Sequence, residues 1–185
     1  MFYIGIIFIC LVGTLLHFTY ELSHHNKYVA IFSAVNESTW EHVKICMTPT
    51  IIWSIYEIIK YGISANFLVA KSLSLLVIIL LIPILFYSYT IFSKKSILFI
   101  DVICFYITVI CSQLVFKNVI TLNSISNTYV IISIILLIVE LIAYLYLTFN
   151  PFNNFIFKDP ITNKYGLDGH PCHHHHKHKH RNNID

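Results

Sequence analysis

FSAVNESTWEHVKI, residues 32–45, lies between two long apolar runs of a strongly hydrophobic chain. Asn36, Glu37, Trp40, Glu41, His42 and Lys44 crowd together inside it. Charge is costly beside hydrocarbon, so this stretch needs a reason for its place. Reading it as the entrance to a second membrane crossing sets the architecture of the chain. The crossings then fall at roughly 2–20, 38–60, 66–92, 96–116 and 127–149. Each is long enough to span a bilayer as a helix, which takes about 20 largely apolar residues. The first has neither a basic leading region nor a small-residue cleavage site, so it reads as a retained span rather than a signal peptide. Pro49 and Pro83 fall inside the second and third spans. Each removes one backbone hydrogen bond and is expected to kink its helix.

Composition points the same way. Of 185 residues, 57% are hydrophobic and 11% charged. Soluble domains hold roughly 45–50% apolar and about 25% charged residues. A lipid bilayer is therefore the expected solvent and partner, and the expected fold is all-α. A polytopic bundle of five transmembrane helices fills residues 1–150, and a cytoplasmic tail with a His-rich end fills 151–185. Between the first two spans, KYVAIFSAV is too short to cross, and it reads as an interfacial or re-entrant helix. No basic stripe interleaved with aromatics appears, which argues against nucleic acid as a partner. Five scattered cysteines do not form a disulfide framework.

With five spans the chain ends lie on opposite sides. Lys27, Lys94, Lys95 and the tail's Lys158, Lys164, Lys177, Lys179 and Arg181 share one side, against Lys60, Lys71 and Lys117 on the other. The positive-inside rule then puts the N-terminus outside and the C-terminus in the cytoplasm of a multi-pass cell-membrane protein. On the outer half, Glu57 is expected to pair with Lys71 or Lys60.

On the cytoplasmic half this topology gathers His17, Glu21, Glu37, Glu41, His42, Asp101 and Glu140. His17 and Glu21 are spaced i, i+4 and share a helix side, as do Glu37 and Glu41. Ionisable groups inside a membrane face the bundle interior, pair up and mark functional sites. Carboxylates beside two imidazoles suit zinc or another divalent transition-metal ion, or a proton relay. A plainer account treats His17 and Glu21 as an interfacial pair and Glu37, Glu41 and Lys44 as a solvated first turn, with STWE at 38–41 fitting a capping box. The tail from His170 carries seven His and one Cys within eleven residues. Such tracts bind transition metals weakly or serve only as a tail that becomes cationic at low pH.

FSAVNESTWEH, with HFTYELS upstream and DPITNKYGLDGH downstream, resembles a small bacterial integral-membrane family catalogued as domain of unknown function 6512. The resemblance covers nearly the whole chain. It implies a polytopic protein of the bacterial cell membrane and carries over no catalytic residue. YELSHHNKYVAIFSAVNES is also loosely similar to the polar segment of alkaline ceramidase-type membrane hydrolases. Those use three His with Ser and Asp to hold zinc, and seven spans. This chain lacks their late HxxxH pair.

Three functions fit. In the first, the acidic and His cluster binds a cation or relays protons in a non-enzymatic membrane protein. In the second, His17, His42 and one or two of Glu21, Glu37, Glu41 and Asp101 hold Zn²⁺ in a hydrolase of a lipid-like substrate, a further carboxylate acting as general base. In the third, the cluster only orders helices or binds a protein partner. The sequence has no HExxH and no G-x-S-x-G, which weighs against the enzyme.

Overall fold

The computed structural model describes residues 2–169. Five α-helices lie among them: α1 (Phe2–Leu22), α2 (Thr39–Tyr61), α3 (Ala65–Ser93), α4 (Leu98–Ile120) and α5 (Asn127–Phe149). Two short 3-10 turns, Val29–Ile31 and Gly166–Gly169, and one isolated bridge between Lys158 and Tyr165 complete the regular structure described. The chain is all-α, as expected. Helix ends follow local chemistry. The Ser64 hydroxyl accepts from the Phe67 N–H (3.2 Å) and caps α3. Gly62, at φ +68°, closes α2 in a conformation that costs other residues more. Pro49 and Pro83 lie inside α2 and α3, and neither ends its helix.

Helices α1, α3, α4 and α5 are long and apolar enough to cross a membrane. Apolarity alone thus marks four crossings rather than five. The remaining helix, α2, has 23 residues, long enough to span, but it carries Glu41, His42, Lys44, Glu57 and Lys60. Protein covers Glu41, Lys44 and Glu57, whereas Lys60 is exposed. From Thr39 to Thr50 every residue of α2 is buried except His42, which is half-buried. Packing against α1 and α3 provides that cover, while α3 also packs on α4 and α5. Close approach of α1 to α2 depends on two glycines. A Cβ on Gly5 would lie 2.7 Å from Trp53 Nε1, and one on Gly13 would lie 2.9 Å from the Ile45 carbonyl and 2.5 Å from Phe105 Cζ.

The connection between α1 and α2 differs from the expected helix over 27–35. It holds a single 3-10 turn, Val29–Ile31. Helical hydrogen bonding is replaced here by buried side-chain donors. The Ala30 carbonyl accepts from Lys44 Nζ (2.8 Å), the Ile31 carbonyl from the Tyr144 hydroxyl (2.8 Å) and the Phe32 carbonyl from Thr48 Oγ1 (3.1 Å). Lys44 and Thr48 are one helical turn apart on α2, so a single face serves both. The Tyr20 N–H donates to Ser33 Oγ (2.8 Å), whose own hydroxyl donates to the Leu16 carbonyl. Leu16 lies six residues before the end of α1, so the connection turns back along the helix by roughly 9 Å at 1.5 Å per residue. Irregular backbone at such a level is tolerated where protein surrounds it.

The segment after α5 docks on the same region. The Trp40 N–H donates to the Ile156 carbonyl (3.1 Å), and the Trp40 and Phe157 rings lie 5.2 Å apart. Asn36 Nδ2 donates to the Gly166 carbonyl (2.8 Å). Asp159, fully buried, accepts from the Glu37 N–H (2.8 Å) and from the N–H groups of Ile161 (2.7 Å) and Thr162 (2.6 Å). Residues 33–41 and 155–169 therefore close one end of the bundle together. The His-rich end from His170 lies outside the described residues.

Candidate metal centre

Three elements bring His17, Glu37 and His42 together. His17 comes from α1, Glu37 from the connection, and His42 from the first turn of α2. One potential ligand atom from each lies within 4.8 Å of the other two. His17 Nε2 stands 3.6 Å from Glu37 Oε1, too far for a hydrogen bond, and the two imidazole centroids are 5.8 Å apart. Two ligand atoms each about 2.1 Å from one tetrahedral ion stand roughly 3.4 Å apart, close to that spacing.

Surrounding contacts orient the group. His42 Nδ1 faces the Ser38 carbonyl at 3.0 Å. A carbonyl only accepts, so Nδ1 carries the proton and the neutral ring keeps its lone pair on Nε2. This is how metal-binding imidazoles are commonly fixed. Glu37 is anchored through its backbone N–H to Asp159. His17 Nδ1 is buried without a hydrogen-bond partner among the described residues.

Asp101, in the first turn of α4, lines a cavity of about 160 Å³ together with His17 and His42. Its carboxylate accepts from the Tyr89 hydroxyl and from Ser96 Oγ (2.6 Å). The rest of the wall is largely apolar, including Phe18, Ile45, Val102 and Phe105, and it runs between α1 and α4. Phe18 and Leu98 at its rim are well exposed. In this protein such exposure faces the surface that lipid would cover.

The other expected ligands stand apart from this group. Glu41 is committed elsewhere: its carboxylate meets Lys44 Nζ at 2.6 Å and accepts from the Val35 N–H (2.9 Å). It is neither part of a solvated turn nor free for an ion. Glu21 is exposed at the end of α1. Glu140 is buried in α5, and neither of its oxygens has a hydrogen-bond partner among the described residues. It lines neither the cavity nor the His17–Glu37–His42 group. Sequence reasoning missed Asp159, which holds Glu37 in place.

These features define a multi-pass helical membrane protein with a polar cluster at one end of its bundle. The chain belongs to the Family of unknown function (DUF6512), whose model matches residues 1–167. No curated protein and no solved structure matches it. Two of the three stretches behind the family resemblance, FSAVNESTWEH at 32–42 and DPITNKYGLDG at 159–169, are joined here by the bonds from Asn36 to Gly166 and from Glu37 to Asp159.

Proposed function

We propose that this protein holds a divalent transition-metal ion, such as zinc, between His17, Glu37 and His42. The observation that carries this reading is the convergence of three ligand atoms within 4.8 Å, from segments otherwise separated by a helix end and a turn. Two imidazoles and a carboxylate form a common zinc set, and three protein ligands leave a fourth position open. In this reading α2 is the fifth crossing, shielded from lipid by its neighbours. The protein lies in the bacterial cell membrane with its N-terminus outside, and the metal sits on the cytoplasmic side.

The test is metal analysis of purified protein, full length and ending at Gly169. The shorter form removes the His-rich end, which would bind ions by itself. The shorter form is expected to hold one ion per chain and its His42→Ala variant none, while the full-length chain holds that ion and whatever its His-rich end adds. An ion lost on truncation but retained by full-length His42→Ala sinks the proposal.

The cavity favours a second reading of the same centre, as a hydrolase of a lipid-like substrate. A water on the open position would gain acidity from the ion. Asp101, which lines the same cavity, would act as general base in this reading. The apolar wall between α1 and α4 suits an alkyl chain. Hydrolysis of a panel of lipid amides and esters, abolished in Asp101→Asn with the metal retained, is the outcome this reading requires. No turnover across the panel leaves binding alone.

A further inference from the structure

A second pocket lies at the opposite end of the bundle, where α2 and α4 finish and α1 begins. It encloses about 40 Å³. Lys60 of α2 and Lys117 and Gln113 of α4 line it, with Glu57, Trp53 and Tyr56. The single acid in this wall is already neutralised, because Glu57 meets Lys71 Nζ of α3 at 2.5 Å. The two remaining cations have no acidic partner among the described residues. Instead, the Lys60 ammonium sits 4.7 Å from the Tyr61 ring centre and that of Lys117 sits 4.9 Å from the Phe2 ring centre. Both line one pocket although like charges repel.

Lysines in a last turn also complement exposed helix carbonyls. That role does not account for Gln113. The residue is 3% exposed, and its amide nitrogen has no hydrogen-bond partner among the described residues. A buried N–H donor left without an acceptor is costly. Two uncompensated cations and an orphaned donor around one small space define a seat for an oxyanion. The space exceeds the ~10–15 Å³ that one water needs and suits a group of a few heavy atoms. Trp, Tyr and Lys at helix ends are anchors of the membrane interface, which places the pocket at headgroup level.

We propose that this pocket binds a phosphate group, through the ammonium groups of Lys60 and Lys117 and the amide of Gln113. An anionic phospholipid headgroup and free inorganic phosphate share that chemistry. The site is separate from the His17–Glu37–His42 centre and does not depend on it.

The experiment follows the thermal midpoint of delipidated full-length protein in neutral detergent. Phosphatidylglycerol is titrated in one arm and inorganic phosphate in the other. Phosphatidylglycerol is expected to stabilise the wild type saturably. Lys60→Gln/Lys117→Gln is expected to weaken its binding by about 30-fold, from the contribution of two lysines at a membrane surface. Both lysines are exposed, so this variant keeps the fold, which its midpoint without ligand verifies. The control, Lys27→Gln/Lys95→Gln, removes two exposed charges elsewhere and is expected to bind as the wild type does. Saturable binding of inorganic phosphate, with the same sensitivity to Lys60 and Lys117, supports the site and assigns a soluble ligand. Binding of neither, or equal binding by wild type and Lys60→Gln/Lys117→Gln, overturns the proposal.

Discussion

Two buried Lys–Glu pairs sit at opposite ends of α2, and they are built differently. Glu41 and Lys44 lie within one turn of the same helix, so their pairing ties no helix to another. Each spends its remaining capacity on the neighbouring connection, Lys44 on the Ala30 carbonyl and Glu41 on the Val35 N–H. Glu57 and Lys71 instead join α2 to α3, and the Lys71 ammonium lies 4.5 Å from the centre of the Phe116 ring. One pair holds irregular backbone and the other clamps two regular helices. A buried ion pair is weak evidence for stability by itself, since desolvation offsets much of the attraction. What it holds besides its partner decides what its loss means.

Removing one charge separates neither pair from the other. Lys44→Met and Lys71→Met are each expected to cost about 3–5 kcal/mol, because each strands a buried carboxylate. Unfolding in mixed detergent and dodecyl sulfate measures this. Replacing both members breaks the symmetry. Glu57→Leu/Lys71→Met is expected to be near neutral or stabilising, as apolar replacement of buried pairs often is. Glu41→Leu/Lys44→Met leaves the Ala30 carbonyl and the Val35 N–H without partners, each worth about 1–3 kcal/mol. Equal costs for the two double variants would erase the distinction drawn here. A smaller effect sharpens it from α1. Gly13→Ala drives a methyl group against Phe105 and the Ile45 backbone and is expected to cost about 1–3 kcal/mol, with His17 displaced from His42. Metal content measured alongside stability would register that displacement. Smallest is Ser33→Ala, expected to cost roughly 1 kcal/mol and to loosen the connection near Leu16, read by faster amide exchange at Tyr20.

The helices were legible because hydrocarbon imposes one length and one composition on what crosses it. The expected fifth span, 127–149, coincides with α5, and the others fall within a few residues of their helices. The connection was not legible, because its backbone is satisfied by Lys44, Thr48 and Tyr144, donors 14 to 113 residues away. No local pattern records such a partner. For the same reason the acidic cluster was resolved only in part. Hydropathy and topology give the level of a charge along the bundle and not its direction around a helix. Thus Glu37 and His42 meet His17, Glu41 turns to Lys44, and Glu140 is buried in α5 away from all of them. The Glu57–Lys71 pair was within reach of the sequence, because both residues sit at the same level on consecutive antiparallel helices.

The bond from the Glu37 N–H to Asp159 spans 122 positions, and the one from Asn36 to Gly166 spans 130. Glu37 is made before α2, and its anchor only after α5. The His17–Glu37–His42 group therefore cannot be anchored before α5 has been made. It waits until all five helices have been made, so an ion captured there would report on chains whose helices are in place.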